Sequence, residues 1–143
     1  MIDKIIDNQK ILKDLYYNKL DKLREDFDFN NPTPTFDKMF EYSSQIQQEI
    51  KNHFALQEQL KNQINEKVDK LILENMLVRD MLIRMSSKIM DGAKNQNIDI
   101  FSFFDDFEEI LKAYLLKEEG LFIQELKMAT NEEEKEKIKT ILS

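Results

Sequence analysis

The chain has 143 residues with two Gly, two Pro and 41% apolar side chains, which is the size of one domain and the composition of long helices joined by few turns. Its net charge of -7 argues against a nucleic-acid-binding or acidic-lipid-binding surface, because such a protein repels phosphate. The absence of Cys and the presence of one His exclude disulfides, thiolate chemistry, histidine triads and multi-histidine metal sites.

The fold class that these numbers predict is all-α, in a single domain over residues 1–143. No stretch of 18 uncharged apolar residues occurs, so we expect no membrane association and a cytoplasmic protein. Apolar residues recur at three- and four-residue steps from Ile2 to Phe27 and predict a first helix over about residues 2–28.

The segment that follows, DFDFNNPTPTFD (26–37), resembles a calcium loop in its spacing of oxygen ligands. The weak candidate set comprises Asp26, Asp28, Asn30 and Asp37. Asn31 stands where the loop needs Gly, and the side chain of Asp37 is one methylene too short for bidentate capture. We therefore favour a plain turn, with an Asx-type bend and a restart at Pro34, and we predict neither a metal nor a cofactor. Four aromatic side chains are expected to pack at this end of the hairpin: Phe27, Phe29, Phe36 and Phe40.

No Gly or Pro interrupts the chain between Pro34 and Gly92, and a near-heptad apolar rhythm runs through it with a phase drift near Val68. This pattern predicts one long, coiled-coil-like helix over about residues 35–91. The expected architecture is a set of extended helical hairpins or a helical bundle built on that central helix. In its first half the apolar stripe is narrow, as at a seam with a second chain. The self-association candidates are Ile46, Ile50, Leu60 and Ile64.

Gly92 is expected to end the long helix in a left-handed conformation. Ser102 is expected to cap a third helix over about residues 103–128, and Thr130 with Glu133 a short helix over about residues 131–142.

The second half of the long helix is apolar over a wide arc and is rich in Met, and the third helix begins with a Phe cluster. Met and Phe at helical spacing pack cores, and they also adapt to the apolar face of a partner helix. The partner-binding candidates are Met76, Met81, Met85, Met90, Phe101, Phe104 and Phe107.

No catalytic residues are predicted, and we expect a protein that is not an enzyme. His53 is expected on a helix seam or at the surface, and the pair Glu118 and Glu119 on a solvated face, because neighbouring residues on a helix point about 100° apart.

The long helix and its two half-length neighbours predict apolar stripes that the chain leaves uncovered, so we expect a protein partner, a homo-oligomer, or both, with a dimer favoured. The leading hypothesis is a non-enzymatic protein–protein interaction module, an adaptor or small chaperone that binds a helical client segment. One alternative is a self-assembling coiled-coil structural protein. A second is an acidic inhibitor of a nucleic-acid-binding protein, because residues 98–143 carry 6 Lys against 12 Asp or Glu, a net of -6.

Overall fold

The computed structural model describes residues 2–128 and 132–142, and over these residues the protein is a bundle of packed helices without a strand. The all-α prediction is confirmed. The helices are α1 (Ile2–Lys13), α2 (Thr33–Glu58), α3 (Glu66–Lys94), α4 (Ile100–Lys117), α5 (Ile123–Lys127) and α6 (Glu132–Leu142). Among them, none has the length and apolar character needed to span a membrane.

Two π-helical turns lengthen these helices. Asp14–Leu20 continues α1 and is followed by a 3-10 turn at Asp21–Arg24, while Glu118–Phe122 joins α4 to α5. The N–H of Ile123 donates to the carbonyl of Glu118, five residues back, as a π-helix requires. The first helical segment therefore ends at Arg24, four residues earlier than predicted. The third begins at Ile100, three residues earlier than predicted, and runs through its π turn to Lys127.

The predicted single helix over residues 35–91 is wrong: the chain turns at residues 59–65, and α2 and α3 form an antiparallel pair. Asn62 adopts the left-handed conformation with φ 65°, which Asn tolerates better than most residues. Asn65 then caps α3, its side chain accepting a hydrogen bond from the N–H of Val68 at 2.9 Å. The carboxylate of Asp69 accepts a hydrogen bond from the N–H of Asn62 at 2.8 Å. The left-handed Asn62 and the capping Asn65 thus form the turn without Gly or Pro.

The end of α3 also differs from the prediction, because Gly92 lies inside the helix and Gln96 is the left-handed residue, with φ 51°. The N–H of Asn97 donates to the carbonyl of Gly92 and the N–H of Gln96 to that of Ala93, which is a Schellman motif. Gly92 serves packing instead: a Cβ there would lie 3.3 Å from a side-chain carbon of Ile100 on α4.

The bundle has two apolar cores. The large cluster lies among the first helical segment, α2, α3 and α4, and contains Tyr16, Ile50, Phe54, Leu82, Phe104 and Phe107 among others. The small cluster lies towards the other end and consists of Ile5, Leu60, Val68, Ile72, Phe122, Ile123, Leu126 and Ile138. Helix α6 packs on α1 and contributes Ile138, while its predicted cap Thr130 lies outside the described residues.

Candidate functional site

A layer of buried polar side chains lies between the two apolar clusters. The order apolar, polar, apolar repeats on four helical segments: Asn8 and Gln9 follow Ile5 on α1, and His53 and Gln57 precede Leu60 on α2. On α3 Asn75 follows Ile72, and Glu118 stands between Leu115 of α4 and Phe122. We call the following residues the polar layer: Asn8, Gln9, His53, Gln57, Asn75, Tyr114 and Glu118.

Glu118 is the centre of the polar layer and is fully buried. Its Oε1 accepts a hydrogen bond from Gln9 Nε2 at 2.6 Å, and its Oε2 lies 2.7 Å from His53 Nε2. The same Oε2 accepts hydrogen bonds from Gln57 Nε2 and from the Tyr114 hydroxyl. A carboxylate can remain ionised in an apolar core only when it is paired and hydrogen-bonded in this way.

His53 is fully buried and lies against this carboxylate. Its Nδ1 lies 2.7 Å from Asn8 Oδ1. Asn8 presents its oxygen here because its amide nitrogen donates to Glu49 Oε2 at 3.1 Å. Both ring nitrogens of His53 therefore lie within hydrogen-bond distance of an oxygen atom, Asn8 Oδ1 on one side and Glu118 Oε2 on the other.

Tyr114 is held neutral by the same surroundings. Burial raises the pKa of its hydroxyl well above the ordinary value, and the charge of Glu118 and the hydrogen bond to it raise that pKa further. Asn75 completes the layer by donating to Gln57 Oε1 at 2.9 Å. The Oδ1 atom of Asn75 is the buried polar atom of the layer that has no partner.

The structure corrects two predictions here. His53 lies in the core and not on a seam or surface, and Glu118 is buried while its neighbour Glu119 is exposed as expected. The layer joins four helical segments through buried hydrogen bonds, and none of its side chains is more than 8% exposed. Its evident effect is to fix how these segments align, because a shift of one helix would leave buried donors unpaired.

The second unusual feature is the outer face of α3, where large apolar side chains are exposed. Leu73, Leu77 and Met81 are 64%, 69% and 43% exposed, and their spacing of four residues places them on one face. Lys70 lies three residues before Leu73 and Arg84 three residues after Met81, and both are exposed. We call these five residues the α3 face.

A shallow groove of about 340 Å³ adjoins the α3 face, between α3 and α4. Its lining consists of Val78, Met81, Glu109, Ile110, Ala113, Tyr114 and Lys117. Met81 thus belongs both to the α3 face and to the groove. Tyr114 connects the groove with the interior, since its ring lines the groove and its hydroxyl reaches Glu118 in the polar layer.

Among the seven predicted partner-binding residues, Met81 is the exposed one. Phe104 and Phe107 are fully buried in the large cluster and offer no surface. Four others are half-buried: Met76, Met85, Met90 and Phe101. Leu73 and Leu77 were not among the predicted residues. The wide apolar arc of this stretch could have identified them, because the stretch has more apolar residues than one helix face can bury.

The predicted self-association seam lies inside the chain. Ile46, Ile50 and Leu60 are fully buried against other helices of the same chain, and Ile64 is half-buried beside the small cluster. The fold leaves Ile46, Ile50 and Leu60 no surface on which a second copy could pack.

The segment at residues 26–37 forms a turn. Asp28 Oδ1 accepts a hydrogen bond from the N–H of Asn30 at 2.9 Å, an Asx turn, and α2 restarts with Pro34 in its first turn. In the described part of the chain no group of three or more acidic or His side chains is placed to hold a metal ion, so Asp26, Asp28, Asn30 and Asp37 are not brought together as ligands. Phe27 contacts Phe29, Phe36 and Phe101 edge-on. Phe29 is nevertheless 75% exposed, and Phe40 is 40% exposed.

Comparison with known proteins gives no relative: no family model, curated protein or solved structure matches the chain.

Proposed function

We propose that this protein is a non-enzymatic protein-binding module, an adaptor or small chaperone that receives a helical segment of its client on the α3 face and in the adjoining groove. The observation that supports the proposal is the α3 face itself, on which the Leu73 and Leu77 side chains are each about two-thirds exposed. Contiguous exposed apolar side chains on a folded protein are typical of interaction sites.

The shape of the surface favours a helix as the bound segment. Side chains four residues apart on α3 form a ridge, and the groove runs beside it between α3 and α4. A ridge beside a groove suits the packing of a third helix, whose apolar side chains enter the groove at matching intervals. Met81, at the junction of the two, is flexible and adapts to differently shaped apolar ligands.

The interior supports a binding role more than a catalytic one. The polar layer contains the acid–base groups that chemistry would require, but His53 and Glu118 have no solvent exposure. Tyr114 is the layer residue that lines the groove. A client helix in the groove would contact the ring of Tyr114, whose position is fixed by the hydrogen bond from its hydroxyl to Glu118.

The test is co-purification from the native host of the tagged protein, of its Leu77→Asp variant and of a Lys51→Asp control. Lys51 is exposed on α2 and does not belong to the α3 face or to the lining of the groove. We expect one protein to co-purify at a fixed ratio with the wild type and the control, and to be lost with Leu77→Asp. A partner retained by Leu77→Asp, or none recovered by any form, would refute the proposal.

A further inference from the structure

We propose that the client segment is an amphipathic helix of another protein that carries an acidic residue about two turns before and another about two turns after its central apolar residue. This inference rests on the proposed function and names the chemistry of the partner. It comes from the charges at the two ends of the α3 face.

Both ends of the α3 face are basic, on a chain whose net charge is -7. Lys70 and Arg84 each lie seven residues from Leu77, which is about 10 Å along a helix. Both are exposed, and in the part of the chain that the structure describes neither has a carboxylate within 4 Å. Lys88, one turn beyond Arg84, is exposed and unpaired as well.

Two acidic side chains beside the α3 face already form ion pairs within the chain. Glu74 Oε2 lies 3.0 Å from Lys117 Nζ, and Asp80 Oδ1 lies 3.1 Å from Arg79 Nε. Within the α3 face, the charged side chains without an ion-pair partner are therefore Lys70 and Arg84, while the exposed Glu66 and Lys88 lie one turn beyond its two ends. A partner that desolvates this face must supply a carboxylate to each of these two cations.

A second copy of the chain does not meet this requirement. Antiparallel pairing of two α3 faces about Leu77 would place Lys70 opposite the Arg84 position of the other copy, and parallel pairing would place like residues together. Either arrangement opposes two positive charges at each end of the α3 face, which destabilises an interface. Antiparallel pairing would also place Glu66 opposite Lys88, but that pair lies one turn outside the face and leaves Lys70 and Arg84 facing each other. The acidic net charge of the whole molecule does not reverse the argument, since charges more than about 8 Å away are screened at physiological ionic strength.

The experiment is a selection with the full-length protein and a displayed library of helical peptides. Every peptide of the library carries apolar residues at three positions spaced four residues apart. Two further positions, seven residues before and seven residues after the central apolar residue, are randomised among acidic, basic and neutral side chains. Selected peptides are then titrated against the wild type, the Lys70→Glu, Arg84→Glu double variant and a matched control.

The control is the Lys10→Glu, Lys51→Glu double variant, which changes the net charge by the same amount at exposed positions of α1 and α2. We expect enrichment of Asp and Glu at both randomised positions. The selected peptide should bind the Lys70→Glu, Arg84→Glu variant with a Kd roughly tenfold higher than that for the wild type, because two exposed ion pairs are replaced by repulsive pairs. Its Kd for the control variant should lie within about twofold of the wild-type value.

Enrichment of basic or neutral residues would overturn the inference, and so would equal binding of the acidic peptide by the wild type and the Lys70→Glu, Arg84→Glu variant. If these results came together with a partner lost on Leu77→Asp, the proposed function would stand and the charge assignment alone would fail. If no peptide bound in a Leu77-dependent manner and no partner co-purified, both would fail.

Discussion

The polar layer and the α3 face differ in which kind of side chain is buried and which is exposed. In the layer, polar and ionisable side chains are buried, whereas on the α3 face large apolar side chains are exposed to solvent. Each reverses the usual distribution, in which buried charges are rare and large apolar side chains are covered. The difference shows that one fold can bury a polar layer that aligns its helices and leave an apolar face uncovered, which we propose to be the binding site for another molecule.

Glu118→Leu should produce the largest effect, because it removes the acceptor that Gln9 of α1 and His53 and Gln57 of α2 share and leaves these buried side chains without a partner. We expect the free energy of unfolding to fall by about 3–5 kcal/mol, measured by urea denaturation. Glu119→Leu, at the exposed neighbouring position, is the control and should change little.

A His53→Leu, Glu118→Leu double variant sharpens this test. The two single losses should exceed the double loss by about 0.5–3 kcal/mol, since the partners interact. Strict additivity would mean that the two groups do not form a pair in the folded protein.

Alkaline pH should destabilise the protein through Tyr114. Burial raises the pKa of this hydroxyl in the folded state, so its contribution to stability is complete below the unfolded-state pKa of about 10 and is lost as the pH rises above it. The loss is at most about 1.4 kcal/mol per pH unit for one such group. Denaturation curves recorded between neutral and alkaline pH should show a shallower decline for Tyr114→Phe than for the wild type. An equal decline in both proteins would contradict the assignment.

The turn that brings the α2 and α3 portions of the layer together should depend on Asn65. Asn65→Ala removes the side-chain acceptor at the start of α3 and is expected to cost about 1 kcal/mol of unfolding free energy. Asn65→Asp keeps an acceptor and should retain most of the stability. A wild-type-like Asn65→Ala protein would mean that the cap does not hold the turn.

Leu77→Asn should have the smallest effect on stability, because the side chain is mostly exposed. We expect an unfolding midpoint close to that of the wild type, measured by thermal denaturation, together with loss of the co-purifying partner. A marked drop in stability would show that Leu77 packs in the fold and would remove the main support for the α3 face as a binding site.

The sequence predicted the helical class and most of the helical segments, because apolar spacing records which residues are buried. It did not predict the turn at residues 59–65, because the turn contains neither Gly nor Pro. Asn62 reverses the chain by adopting the left-handed conformation, and Asn65 caps the next helix. The phase drift near Val68 was the available signal. With the turn missed, the apolar stripe of α2 had no partner within the chain, so its buried residues were assigned to a dimer seam.

The polar layer was also present in the pattern. Asn8, His53, Asn75 and Glu118 each occupy a position at which the apolar spacing of their helix predicts a buried residue. What one helix at a time cannot show is that these positions fall at the same height of the bundle. Their hydrogen bonds depend on the mutual alignment of four helical segments, which only the folded chain defines.

Site-specific photo-crosslinking in the native host would show whether another protein occupies the α3 face, with a benzophenone side chain introduced at position 77 and, as control, at position 51. We expect one discrete adduct with a different protein from position 77 and none from position 51. An adduct between two copies of this chain, or identical patterns from both positions, would contradict this expectation.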